Sequence, residues 1–355
     1  MLGRTMSGFT IVDALGSGGM AEVYRARSIT GDHYALKILP QQVASDRVAL
    51  KRFQREGRVL MAVRHENVVR VEQFGSSAGT PFLVMELISG RSLTDRLRVE
   101  QRLVPEKAAR IALQITAGIG ALHAAGIIHR DLKPSNIMLI ERPSGEIAKI
   151  VDLGLARMTA RSGRDSTGLT RMGTFVGTPS FMAPEQLTGQ KVGTSADLFG
   201  LGAIIHAMLT GAPPWRLTGV ELVAARFRGD KPAPLEAAYG LETLVEQLMD
   251  RDPSVRPQRT EVTATLERVI AAIEASPSRA PKESTAEAVD AILDPPSRVD
   301  SPEALPLDPV GFENTVDGAA VRSEGALAPF ESRVEQAPKS SVLGPLMARL
   351  RSKRQ

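Results

Sequence analysis

Over roughly the first ninety residues apolar positions fall in short alternating runs, and beyond them they recur at helical spacing. Runs at residues 9–15, 22–27, 33–39, 68–74 and 81–86 predict β-strands separated by glycine-containing turns, and one helix is predicted over 48–63. Further on, residues 105–125 open with a proline suited to a first helical position, and 195–210 are apolar on most faces, as in a fully buried helix. Residues 241–249 and 260–275 read as amphipathic helices. A small sheet with one helix is therefore followed by a larger helical part.

The pattern gives out near residue 271. Of 44 basic and 40 acidic residues in the chain, 271–355 hold 10 and 13, leaving 34 and 27 before them, so the two parts differ in sign. Ten of the 23 prolines fall in this stretch beside only two aromatics, Phe312 and Phe330. It cannot bury enough apolar area to offset its chain entropy and is expected to be a disordered tail. Near its end Val342, Leu346, Met347 and Leu350 stand at near-helical spacing beside Arg349, Arg351, Lys353 and Arg354. That suits a short basic amphipathic helix, interrupted by Pro345, with weak peripheral membrane contact; a plain solubilising end fits as well.

Composition narrows the classes. With 43% hydrophobic and 24% charged residues, 355 residues bury a sizeable core, and the net charge of +4 is too small to imply nucleic acid as the main partner. There is no cysteine, which excludes disulfides, thiolate metal sites and a catalytic thiol, and the five histidines are scattered. No run approaches the roughly 18 to 20 apolar residues of a membrane span, and the N-terminus lacks the order of a secretory signal. The expectation is a cytoplasmic protein with no transmembrane helix.

Gly16-Ser17-Gly18-Gly19 lies between two strand patterns. Glycines there let backbone N–H groups approach phosphate, although a merely flexible hairpin tip reads the same. A dinucleotide-binding turn would need a helix directly afterwards, whereas 22–26 continues as strand. Lys37 stands in an apolar strand, where an ammonium requires an anionic partner, and Glu56 on the following helix is a candidate for it.

The segment His129-Arg130-Asp131-Leu132-Lys133-Pro134-Ser135-Asn136 is followed by Asp152-Leu153-Gly154 and by Ala183-Pro184-Glu185. With the glycine loop, Lys37 and Glu56 in order before it, this set resembles the eukaryotic-type protein kinase family, and LGSGGMAEVYRA and GTPSFMAPEQL are similar to its bacterial serine/threonine branch. The resemblance covers residues 9–270. It implies an α+β bilobal fold, with a small antiparallel β lobe at 9–88 and a larger, mostly helical lobe at 89–270, followed by the tail at 271–355. It also implies ATP-dependent transfer of the γ-phosphate to Ser or Thr of protein substrates, with autophosphorylation.

Residue by residue, the resemblance implies that Lys37, held by Glu56, binds the α- and β-phosphates. Asp131 accepts or orients the hydroxyl proton, Lys133 neutralises the γ-phosphate, and Asn136 and Asp152 hold Mg²⁺ or Mn²⁺. ATP would further meet Leu15, Gly16, Ser17, Gly18, Gly19, Val23, Ala35, Met85, Glu86, Ile88 and Leu139, with Met85 as gatekeeper. Glu185 and Arg256 would form a buried anchoring pair, Asp197 would brace the catalytic loop, and Thr170 and Thr174 would be activating phosphosites. Ala21 stands in place of the third glycine and Leu153 in place of a phenylalanine; neither removes a ligand or a charge. A catalytically dead scaffold commonly lacks the lysine or one of the aspartates, and Lys37, Asp131 and Asp152 are all present.

Overall fold

The structure is a computed structural model and describes residues 1–18, 21–39, 47–153, 179–217 and 219–275. Its N-terminal strands are β1 (Thr5–Met6), β2 (Phe9–Gly18), β3 (Ala21–Ser28), β4 (His33–Ile38), β5 (Val71–Ser77) and β6 (Thr80–Glu86). They form one antiparallel sheet in the order β1-β2-β3-β4-β6-β5, with helix α1 (Arg47–Ala62) between β4 and β5 in sequence.

β6 is apolar at successive positions because both faces of the sheet are covered. Phe82 and Val84 join Met6, Ile11, Tyr24, Ala26, Leu36 and Ile38 in an outer cluster, whereas Leu83 and Met85 join the main core with Phe53 and Leu60 of α1. A glycine inside α1 is costly for a helix, and the reason for it is spatial: a Cβ on Gly57 would lie 2.8 Å from the Phe74 ring. β1 was not expected, since a two-residue strand carries no period; its Met6 is nevertheless buried beneath the outer cluster.

The strand expected at 68–74 is displaced. Val68 and Val69 leave the sheet for the other lobe, where Val69 N–H donates to the Ile150 carbonyl (2.8 Å) and Ile150 N–H to the Asn67 carbonyl (2.9 Å). An apolar pair buried between lobes has the same sequence signature as the start of a strand.

The second part begins with β7 (Arg91–Ser92), α2 (Leu93–Glu100) and α3 (Pro105–Ala124), then β8 (Ile137–Arg142) and β9 (Gly145–Ile150), which with β7 make a three-stranded antiparallel sheet. The helices α4 (Pro184–Leu187), α5 (Ser195–Thr210), α6 (Gly219–Arg228), α7 (Leu241–Leu248) and α8 (Arg259–Ala275) follow. Every residue of α5 from Ala196 to Met208 is buried, as its all-round apolar pattern requires, and α3 packs on it and on α8. Ser92 caps α2 by accepting Asp95 N–H at 3.1 Å, Pro105 starts α3, and Gly211 ends α5 in the left-handed conformation at φ 72°. Among the described residues no helix is long and apolar enough to cross a membrane.

His206 of α5 is buried, with Nε2–H donating to the Ala233 carbonyl at 2.9 Å. Burial pushes its imidazole below the ordinary value of 6.5, against the pull of the carbonyls of Ala233 and Ala212, and the Arg216 charge adds to the depression. Above pH 6.5 the ring is neutral folded or unfolded; as pH falls below 6.5 the unfolded chain takes up a proton that the folded chain refuses, so stability is lost. Thermal unfolding at stepped pH should show that loss in the wild type and a smaller one in His206→Gln, whose amide still donates to Ala233.

Candidate active site

Cross-strand pairing places several of the expected residues on one face of the first sheet. Val23 is opposite Lys37, Ala35 opposite Met85 and Lys37 opposite Leu83, and directly paired residues point the same way. At the edge of this face β2 and β3 stay paired through Gly16–Val23, Ser17–Glu22 and Gly18–Ala21, so the glycine stretch is a hairpin as expected; Gly19 lies outside the described residues. Leu15 falls at the register shift between Ala14 and Gly16 and is half exposed. From the second lobe Leu139 of β8 is buried. Glu86 ends β6, and Ile88, partly buried, lies just beyond it. The Glu86 carboxylate accepts Arg70 N–H and the buried Lys149 ammonium, both at 2.7 Å, which fixes the chain where it passes between the lobes.

The loop from His129 to Asn136 is held from beneath by Asp197, buried in the first turn of α5. One of its oxygens accepts His129 N–H (2.9 Å) and lies 2.7 Å from His123 Nε2, and the other accepts Arg130 N–H (2.8 Å). The His129 ring donates from Nε2 to the Val151 carbonyl (3.1 Å) and accepts Asp131 N–H at Nδ1 (3.3 Å). Arg130 and Asp152 have φ of 64° and 57°, a left-handed conformation that non-glycine residues adopt only where the surroundings enforce it. Gly200 of α5 admits the loop, since a Cβ there would lie 2.9 Å from Leu132 Cβ.

Asp131 is thereby presented with Lys133 Nζ 3.0 Å from its carboxylate. The Asn136 amide nitrogen donates to the Asp131 carbonyl at 2.7 Å and, more weakly, to its carboxylate at 3.3 Å. Lys37, buried on β4, reaches across to the Asp152 carboxylate as an ion pair. Desolvation alone would push the Asp152 carboxyl up, but the Lys37 charge and hydrogen bond, with smaller help from His129 and Lys133, hold it below its ordinary value. Glu56, half-buried on α1, takes no part in this pair. Leu153 is buried, so its apolar packing survives the change from phenylalanine.

The donor set suits a hard divalent cation. Asn136 uses its amide nitrogen on Asp131 and so keeps its oxygen for a cation, and Asp152 is a carboxylate. Among the described residues no group of three or more His, Asp or Glu side chains is placed to hold a metal. Two protein oxygens fit Mg²⁺, which retains waters and phosphate oxygens in its shell.

Below the loop Glu185 and Arg256 form the expected pair, with bonds of 2.7 and 2.9 Å between wholly buried side chains. Arg256 also donates to the carbonyls of Asp250 and Ser195, each at 2.9 Å. Gln186 accepts Ala183 N–H at 3.0 Å and donates to the Arg130 carbonyl at 2.8 Å, joining this region to the loop from His129 to Asn136. His123, Lys149 and Gln186 were not singled out from the sequence, where each reads as an ordinary helix or strand residue. Thr170 and Thr174 lie outside the described residues.

A lysine on one lobe is paired with an aspartate on the other, beside a second aspartate whose loop is braced from below, in a bilobal fold. Residues 9–266 match the family model of the protein kinase domain, and the chain belongs to that family. It is 37% identical over 258 residues to the serine/threonine-protein kinase pkn2 of Myxococcus xanthus, a match covering 70% of this chain and 31% of that protein. It is 32% identical over 322 residues to the serine/threonine-protein kinase PkaA of Streptomyces coelicolor, covering 86% and 58%. To the serine/threonine-protein kinase PknD of Mycobacterium tuberculosis it is 35% identical over 263 residues, covering 72% and 38%. The chain thus spans between about a third and three fifths of the length of these curated relatives. The crystal structure of the Mycobacterium tuberculosis PknI kinase domain has the same fold, with a TM-score of 0.57 at 24% identity, over 76% of this chain and 99% of that one.

Proposed function

We propose that the chain is an ATP-dependent serine/threonine protein kinase. The observation that carries the reading is the Asp131 carboxylate, held by its loop with Lys133 Nζ at 3.0 Å and Asn136 beside it, in a site where Lys37 meets Asp152. Adenine lies against Val23, Ala35, Met85 and Leu139, with Leu15 above it and the backbone of Glu86 and Ile88 at its edge. Backbone N–H groups from Gly16 to Gly19 approach the phosphates. Lys37 would bind the α- and β-phosphates, with Glu56 of α1 as its carboxylate partner in the nucleotide-bound site. Asn136 and Asp152 would hold Mg²⁺ or Mn²⁺, which would supply charge neutralisation at the phosphates.

The serine or threonine hydroxyl oxygen forms a bond to the γ-phosphorus as its proton passes to Asp131. The bond from that phosphorus to the bridging oxygen breaks, and ADP leaves. Lys133 neutralises the charge on the transferred group, so the protein's contribution is mainly position and electrostatics.

Autophosphorylation at Thr170 or Thr174 belongs to the same proposal, as does a boundary near residue 270 between the catalytic lobes and a tail that serves attachment or solubility. Incubation with radiolabelled ATP should label Ser or Thr in a protein substrate and in the chain itself, and chelation of divalent ions should abolish both. Mass spectrometry should then find phosphate at Thr170 or Thr174. Label on tyrosine alone would exclude the serine/threonine reading, and fully active protein unmodified at both threonines would exclude their role.

A further inference from the structure

Arg226 of α6 is an arginine in the wrong place for a surface helix: it is 7% exposed, and among the described residues no carboxylate pairs with it. Its guanidinium instead lies 3.9 Å from the centre of the Trp215 ring and 5.0 Å from that of Phe199. Its two terminal nitrogens donate to backbone carbonyls, one to Pro179 (3.1 Å) and the other to Met182 (2.7 Å). Burial and the neighbouring Arg256 charge pull it down to about 9, with Glu185 opposing them, so the cation is kept at a cost that only its contacts offset.

Those contacts fall on one short stretch. Pro179–Phe181 is a single 3₁₀ turn, closed by Met182 N–H donating to the Pro179 carbonyl at 3.2 Å, and Arg226 grips both ends of it. One residue further on Ala183 is tied through Gln186 to the Arg130 carbonyl, next to Asp131. The turn therefore borders the loop to which a substrate hydroxyl must be delivered, and nothing in the Arg226 contacts touches the nucleotide face.

We propose that Arg226 is a positioning residue for the protein substrate, fixing the Pro179–Met182 turn beside the catalytic loop while leaving ATP binding untouched. The inference rests on the kinase reading above. It predicts a split between the two substrates that a residue acting only on overall stability would not produce. A flat guanidinium is needed to reach both carbonyls while stacked on Trp215, which lysine cannot do and methionine cannot begin to do.

The test is steady-state kinetics of Arg226→Met and Arg226→Lys against a generic protein substrate and ATP in turn, with nucleotide affinity measured separately by displacement of a fluorescent ATP analogue. In Arg226→Met the KM for protein substrate should rise about tenfold to a hundredfold, with the KM for ATP and the nucleotide affinity within about twofold of wild type. Arg226→Lys should fall between. An unchanged protein KM overturns the proposal, and so does a parallel loss against both substrates that follows the melting temperature. If the wild type transfers no phosphate to any protein, the kinase reading itself fails. Amide exchange at Ser180, Phe181 and Met182 then tests separately the hold of Arg226 on the turn, which is supported if Arg226→Met speeds exchange there locally and overturned if exchange there is unchanged.

Discussion

Asp131→Asn should lower phosphoryl transfer by about 10²- to 10⁴-fold while leaving ATP binding and the melting temperature close to wild type. The amide is nearly isosteric and can still accept the bonds from Lys133 and Asn136 through its oxygen, so the loop keeps its shape. What it loses is the capacity to take a proton from the attacking hydroxyl. The brace beneath is untouched, because Asp197 holds His129 and Arg130 through their backbone N–H groups and does not contact the Asp131 carboxylate. Single-turnover transfer from radiolabelled ATP, read beside nucleotide affinity, checks the outcome. Equal label in variant and wild type would remove Asp131 from the chemistry, and a parallel loss of nucleotide binding would make it a structural residue.

Glu185→Gln should cost about 3 to 5 kcal/mol of stability, the range seen when one partner of a buried ion pair is removed. The local arrangement favours the upper part of that range. Arg256 and Arg226 both lie over the Phe199 ring, at 5.1 and 5.0 Å, and each repels the other; Glu185 is the carboxylate that offsets them. Without it two cations remain buried against one aromatic face. The melting temperature should fall by roughly 10 °C for a domain of this size. In the double variant Glu185→Gln with Arg256→Met the loss should be smaller than the sum of the single losses, since the orphaned charge is gone. Calorimetry or denaturant titration of the four proteins gives the coupling directly, and additive losses would mean the pair is not coupled.

Much of the molecule was legible in linear order. Strands and helices whose period matched a one-sided or fully buried environment were placed within a few residues, α5 most cleanly, because a helix apolar on every face has only one environment available to it. Lys37 was legible as a charge in an apolar strand, and Asp131, Lys133, Asn136 and Asp152 through the resemblance of their motifs to the protein kinase family, whose chemistry explains the residue types. Phosphate transfer needs cations, hard oxygen ligands and a base, and charged groups are costly in apolar strands or packed loops unless a ligand or a counter-ion balances them. β1, β7, α2 and α6 and the β8–β9 hairpin were not singled out; β1 and β7, at two residues each, carry too little period to register.

Tertiary structure decided the partners. The sequence offered Glu56 as the anion for Lys37, yet in this structure the ammonium is drawn to Asp152, 115 residues away, because that carboxylate lies where the two lobes meet. His123 and Lys149 acquire their roles only when α3 and β9 bring them to Asp197 and Glu86. Arg226 is the extreme case: two residues from Arg228 on a short helix it reads as a solvated arginine, and only the packing of α6 against Trp215 and Phe199 turns it inward onto two carbonyls. The sequence by itself determined which chemical groups exist and in what local secondary structure. Which of them meet was left to long-range packing, because the energy of a buried charge depends on neighbours far away along the chain that no local period encodes.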